Sequence, residues 1–274
     1  TRFDKADEVG GQLNLAKQVP GKEEFHGLVR WFSTMLERSG VALRLGAEAR
    51  PQDLQSFDEI VSATGGKPRD PGIPTDPGAL VLNYIDVLHG VPVGHRVAVI
   101  GAGGIGFDVA ETLVHAGRSP TEHPELWRAE WGVSSPWQDR GGLSPNGPAP
   151  TPPARNVILL QRKAEKPGRR LGKTTGWIHR AGLAMKGVKM VGGVNYERIT
   201  RNGLAVSYGA NRERPETLAV DAVVLCAGQE PDRKLSDQLV ALGMPHHVIG
   251  GADVAAELDA KRAIDQGARL AALL

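Results

Sequence analysis

The triplet Gly101-x-Gly103-x-x-Gly106 constrains this chain more than any other feature, because of what flanks it. An apolar run at residues 95–100 leads into it, and a helical pattern follows through Val114, with Val109, Ala110 and Leu113 on one face. Strand, glycine turn and helix in that order form the first half of a nucleotide-binding βαβ unit. Gly101 permits the tight turn, Gly103 lets the backbone approach a pyrophosphate, and Gly106 lets the helix pack on the strand. Gly104 and Ile105 stand at the helix N-terminus, where unpaired N–H groups and the positive dipole end favour phosphate. A turn serving packing alone is the competing reading of three glycines. The flanking strand and helix favour a dinucleotide.

The next strand, residues 156–161, selects between nucleotides. An acid at its end would bind the ribose 2′-hydroxyl of NAD, whereas the chain continues Gln161-Arg162-Lys163. Two cations there suit the 2′-phosphate of NADP. A solvated charge pair at a strand end is the plainer alternative.

Beyond this unit, strand and helix patterns alternate. A strand closes at Asp4, before the loop Glu8-Val9-Gly10-Gly11-Gln12. An acid ending a strand there matches the adenosine-ribose position of an FAD-binding unit. A helix is expected over 22–38, with Gly40 as its stop, then strands over 41–45 and 57–64, the latter ending Ala63-Thr64-Gly65-Gly66. Residues 81–88 read as a short helix. Residues 118–155, rich in Pro, Gly and Ser, are too long for a routine connection and read as an inserted functional loop or lid. A helix over 174–186, a strand over 188–191 and an antiparallel meander over 196–220 follow. A strand over 221–226 ends in Ala227-Gly228, and one over 247–249 leads to Gly250-Gly251-Ala252-Asp253, an acid placed to accept a ribityl hydroxyl. A last helix is expected over 257–274, its N-terminal dipole directed toward a flavin.

These patterns predict an α/β chain of two doubly wound, Rossmann-like nucleotide-binding domains with a small antiparallel meander. The second domain, 94–214, is inserted in the first, made of 1–93 and 215–274.

Composition removes rival classes. Lysine and arginine number 33 against 31 acids, a net +2, with no basic stripe to bind nucleic acid. Cys226 is the only cysteine, which excludes an internal disulfide, a CxxC pair or a multi-cysteine metal site within this chain. No apolar stretch approaches the ~20 residues of a membrane span and no signal peptide is visible, so a cytoplasmic protein without a membrane partner is expected. Gly168-Arg169-Arg170-Leu171-Gly172-Lys173-Thr174 imitates a P-loop, but has three residues between its glycines where the motif has four. The eight histidines show no metal-binding spacing.

Taken together, these residues resemble the C-terminal part of the bacterial NADPH-dependent 2,4-dienoyl-CoA reductases. The similarity spans nearly the whole chain. It is carried by EVGGQLNLAKQVPGKEEF, VAVIGAGGIGFDVAETL, LLQRKAEKPGRRLGKTTGWIHR, VVLCAGQEPDR and IGGADVAAELDAKRAIDQG, the third being the most specific. The resemblance implies that an N-terminal barrel with FMN and a cysteine-ligated 4Fe-4S cluster precede this part in the full-length protein. NADPH would reduce FAD, and electrons would pass through the cluster to the FMN, which reduces a dienoyl thioester of fatty acid β-oxidation. The chain departs from the family by omission: it has no barrel, no cluster cysteines and no first FAD glycine loop. It opens Thr1-Arg2-Phe3-Asp4, without Met, and is expected to be a fragment.

Carried over by motif position, Asp4, Gly11, Gln12, Lys22, Ala49 and Gly65 fall to FAD, with Ala227, Gly228, Gln229 and the Gly250, Gly251 and Asp253 turn. Arg162 and Lys163 fall to the NADP 2′-phosphate, while Lys166, Trp177 and His179 line the nicotinamide path, packing being an equal role for Trp177. No acid–base residue is required on this chain. Two other functions remain open: another NADPH:acceptor flavin reductase on the same scaffold, and a dinucleotide-binding module without enzymatic activity.

Overall fold

The structure is a computed structural model describing residues 1–135, 138–255 and 260–274. The chain divides into two compact units. An inserted unit comprises Leu15–Glu24 and Asp70–Ala227, and an outer unit comprises Thr1–Asn14, Phe25–Arg69 and Gly228–Leu274.

The inserted unit is built on a five-stranded parallel sheet. Its order is Val81–Asn83, Ala222–Leu225, Arg96–Ile100, Asn156–Leu160 and Lys189–Val191. Both faces are covered, which is why its central strands read as unbroken apolar runs. Alternation along Arg96–Ile100 sorts the side chains. Val97 and Val99 join a cluster with Phe107, Val109, Leu113 and Leu183 from the helices Gly104–Val114 and Gly176–Met185. Ala98 and Ile100 join the opposite cluster with Ile199, Leu204 and Val206. Those last residues belong to the expected meander, a three-stranded antiparallel sheet of Val194–Thr200, Gly203–Tyr208 and Glu213–Leu218.

Residues 81–88 are not one helix. Val81–Asn83 pairs in parallel with Ala222–Leu225, and only Tyr84–Leu88 is helical. Asn83 caps that helix, its side-chain oxygen accepting from the Ile85 and Asp86 amides at 2.8 and 3.3 Å while Asp86 accepts from its backbone at 2.8 Å. Strand pairing has overridden a local helical pattern. The paired segments 81–83 and 222–225 both fall in the inserted unit, whose limits in the chain are 69/70 and 227/228.

The 118–155 segment contains structure of its own. It holds the helix Pro124–Trp131, a 3-10 turn at Arg140–Gly142 and a bridge between Val133 and Leu143. Glu130, 6% exposed, sits 2.9 Å from Lys186 Nζ and fastens the segment to the end of the helix Gly176–Met185.

In the outer unit the parallel strands are short pairs: Arg2–Phe3 with Leu43–Arg44, and Val61–Ser62 with His247–Val248. Gly66–Pro68 pairs antiparallel with Gln229–Pro231. The expected strands over 41–45 and 57–64 are thus present only in part. Leu54, Ile60 and Leu239 form the core, with Phe3, Ala49 and Phe57 packed on it. Leu239 comes from the helix Lys234–Ala241, which the sequence pattern had not singled out. The long helix is Glu24–Arg38, and the last is Ala260–Ala271. The expected start of that last helix, residues 257–259, lies outside the described residues. Among the described residues, no helix is long and apolar enough to cross a membrane.

Candidate functional site

The three fingerprint glycines have three different surroundings. Gly101 has φ +115°, and a Cβ built on it would lie 2.2 Å from the Cys226 carbonyl oxygen. A Cβ on Gly106 would lie 1.7 Å from the Gly101 carbonyl oxygen, so the helix starts in backbone contact with the turn. Gly103 and Gly104, by contrast, are exposed and meet nothing within 4 Å. Gly103 is the N-cap of the helix Gly104–Val114 and offers no side chain to its free amides, which Gly104 and Ile105 begin. The turn is thus closed by backbone on one side and open on the other, the shape of a phosphate cradle.

Arg162 and Lys163 follow the strand Asn156–Leu160, both exposed. Gln161 fixes their turn by donating to the Lys163 carbonyl at 3.0 Å and the Glu165 carbonyl at 2.5 Å. Among the described residues neither cation has an ion-pair partner. Glu165, the nearest acid in sequence, faces Arg169 and Arg170 at 3.5 and 3.8 Å. Lys166 is exposed on the same loop, while Pro167 and Gly168 are buried. A Cβ on Gly168 would strike the Phe107 ring at 2.6 Å, and its carbonyl accepts from Arg180 at 2.9 Å, so the loop is seated on the fingerprint helix.

That helix carries two acids on its flank, each already paired. Lys22, expected against FAD, belongs to the inserted unit with its Nζ 2.7 Å from Asp108. His179 Nδ1 lies 2.8 Å from Glu111, and this hydrogen bond holds the imidazole pKa above its ordinary value. Trp177, two residues earlier, is 58% exposed, so core packing is not its role.

The His179 pair yields a pH signature. A histidine whose folded pKa is raised stabilises in full below its unfolded value of 6.5, and that contribution fades as pH rises through the raised value. His179→Ala is expected to lower stability below pH 6.5 by under about 1 kcal/mol for a pair this exposed, and to have no such effect in alkaline solution. Thermal denaturation across pH measures the difference.

In the outer unit, Asp4 accepts from the Ala6 amide and from Arg2, both at 3.1 Å. Gly11 and Gly65 have φ of +52° and +77° with open space where a Cβ would stand. Gln12 and Gln229, far apart in sequence, meet at 3.1 Å. Gly228, φ +104°, faces Arg69, while Ala227 ends the inserted unit. The Ala49 side chain packs on the apolar core, which leaves its backbone for any ligand contact. Gly250 and Gly251 are buried, and Asp253 is half-buried beside them. Sequence reasoning missed Arg233 and Gln266, which hold this last turn. Arg233 donates to the Ala252 and Asp253 carbonyls at 3.1 and 2.6 Å.

Cys226 is buried, and burial pushes its thiol well above the ordinary range, so it is no accessible thiolate.

The chain is 26% identical over 246 residues to a metal reductase of Desulforamulus reducens, covering 87% of this chain and 35% of that protein. It is 29% identical over 248 residues to N,N-dimethylglycine/sarcosine dehydrogenase of Chromohalobacter salexigens, covering 86% and 30%. In fold it is similar to 2-naphthoyl-CoA reductase, with TM-score 0.75, 22% identity and coverage of 97% of this chain and 34% of that one. Histamine dehydrogenase from Rhizobium sp. 4-9 gives TM-score 0.73, 18% identity and coverage of 98% and 39%. The chain therefore spans about a third of the length of these proteins. The family model described as pyridine nucleotide-disulphide oxidoreductase matches residues 14–260, and with the glycine cradle in the place such a fold requires, the chain belongs to that family.

Proposed function

We propose that this chain is the NADPH-oxidising, flavin-reducing part of a larger reductase of the 2,4-dienoyl-CoA type. The family implies FAD and a nicotinamide dinucleotide. The observation that carries the reading is the fingerprint turn: two glycines sterically compelled by backbone and a third, Gly103, facing open space.

The residues present fit both groups. Amides at Gly103–Ile105 would hold the dinucleotide pyrophosphate, and Arg162 and Lys163, cations without acid partners among the described residues, the 2′-phosphate. Asp253 and Asp4 would accept hydroxyls of FAD, with Gly11, Gly65 and Gly250 keeping backbone near it. FAD, when bound, supplies the ring that accepts hydride from reduced nicotinamide. The chain's own residues bind and orient; none must move a proton, and the buried Cys226 takes no part in a disulfide cycle. The acyl-CoA assignment rests on the five stretches that carry the resemblance, residues 159–180 above all, and an FMN barrel with a 4Fe-4S cluster in the same full-length protein would be the electron acceptor.

The test uses the purified chain with FAD. It should turn yellow, reduce an artificial dye at the expense of NADPH, and leave dienoyl-CoA untouched, while the full-length protein reduces dienoyl-CoA. Nucleotide binding with neither flavin nor dye reduction would make it a binding module. Dye reduction with no dienoyl-CoA turnover by the full-length protein would make it another NADPH:acceptor flavin reductase.

A further inference from the structure

The turn after the strand His247–Val248 is stapled from the last helix by a single amide side chain. Gln266, half-buried on Ala260–Ala271, accepts from the Gly250 amide through Oε1 at 2.8 Å. Its Nε2 donates to Asp253 Oδ2 at 2.9 Å. Both ends of the turn are therefore held by one group. A neutral carboxamide suits the place because it must accept from an N–H and donate to a carboxylate at once, which a carboxylate or an ammonium cannot do. Gly250 sits at φ +65°, and the Gln266 bond satisfies its buried N–H in that conformation.

The consequence falls on Asp253. With Oδ2 engaged by Gln266, Oδ1 lies 4.0 Å from the Arg233 guanidinium, beyond hydrogen-bond reach, and the side chain remains 39% exposed. Arg233 spends its bonds on the Ala252 and Asp253 carbonyls, and Arg262 donates to the Val254 carbonyl, so the backbone beneath the carboxylate is fixed too. The result is a carboxylate with one oxygen locked and the other presented for a hydroxyl donor. We infer that Gln266 is a positioning residue for flavin binding: it touches no ligand, but sets the Asp253 carboxylate and the Gly250 turn in the geometry that accepts a ribityl hydroxyl. This rests on the flavin reading above.

A double-mutant cycle on FAD affinity, read by quenching of flavin fluorescence, tests it. Asp253→Asn and Gln266→Leu should each weaken FAD binding by roughly tenfold, and the double variant by no more than about the same, because both act through one carboxylate. Gln266→Glu guards against misfolding: it keeps the shape and the acceptor for Gly250 but sets a charge against Asp253, and should weaken FAD binding while the protein still melts cooperatively with wild-type circular dichroism. Wild-type affinity in both Gln266 variants, or losses that multiply to roughly a hundredfold in the double variant, overturns the inference and leaves the flavin reading standing. Wild-type protein that takes up no FAD overturns that reading, and this inference with it.

Discussion

Gly106→Ala is expected to lower the melting temperature of the inserted unit by roughly 6–12 °C, whereas Gly103→Ala, three residues away, keeps the melting and weakens nucleotide binding. The asymmetry follows from where each new methyl would go. At Gly106 it would stand 1.7 Å from the Gly101 carbonyl oxygen, with the Gly101 carbonyl carbon at 2.8 Å and Leu159 behind. No rotamer relieves a clash between backbone atoms, so the helix Gly104–Val114 must lift off the strand that feeds it, opening the cluster around Phe107 and Val109. About 3 kcal/mol, the upper end for overpacking, is expected because the clash is with backbone, or roughly 6–12 °C in melting temperature. Gly103 is different: φ −87° and ψ −171° are open to any residue, and nothing lies within 4 Å. Alanine there costs no more than about 1 kcal/mol as a poorer N-cap. Its methyl, however, projects into the space a pyrophosphate must enter, and nucleotide affinity should fall at least roughly tenfold, about 1.4 kcal/mol. Thermal melting and nucleotide titration of the two variants separate the effects. Equal melting temperatures for both would refute the close approach on which the cradle depends.

The parts of the molecule legible in its sequence are those where one local rule governs. Arg96–Ile100 and Asn156–Leu160 lie at the centre of a sheet buried on both faces, so solid apolar runs announce them. The glycine turn is legible because each glycine answers a separate backbone demand at a fixed spacing. Legibility fails where partners are distant. Val81–Asn83 is a strand only because Ala222–Leu225 lies beside it, and Gly66–Pro68 carries a glycine and a proline that argue against a strand until Gln229–Pro231 pairs with it. The same holds for the polar pairs. Lys22 and Asp108 are 86 residues apart, His179 and Glu111 are 68, and nothing in the sequence assigns one to the other. A faint signal did exist. Asp108 and Glu111 are three apart on a mostly apolar helix, one shared face, and two acids there ask for two cations. Gln266 left no signal, since a glutamine on an amphipathic helix reads as solvated surface.

The double substitution Arg162→Ala with Lys163→Ala should cost NADPH most of its affinity and change NADH affinity by less than about threefold. The sheet fixes the end of Asn156–Leu160 next to the fingerprint strand, with Ile100 opposite Leu160, so residues just beyond it stand where the ribose of a dinucleotide on the cradle would lie. Gln161 then holds the turn through two carbonyls, and Glu165, the acid that could have neutralised the pair, is turned to Arg169 and Arg170. Two exposed cations with no acid to satisfy them among the described residues cost little to hold in water and gain only when a dianion arrives. A charge-assisted bond to phosphate contributes about 1.5–3 kcal/mol, less when exposed, so about 2–4 kcal/mol for the two together is reasonable, roughly 30- to 1000-fold in affinity. NADH has no phosphate at that position and forgoes none of this. Titrating both nucleotides against the variant decides the matter: equal losses would mean that the cations merely attract anions at long range, and a loss that disappeared at moderate salt would say the same.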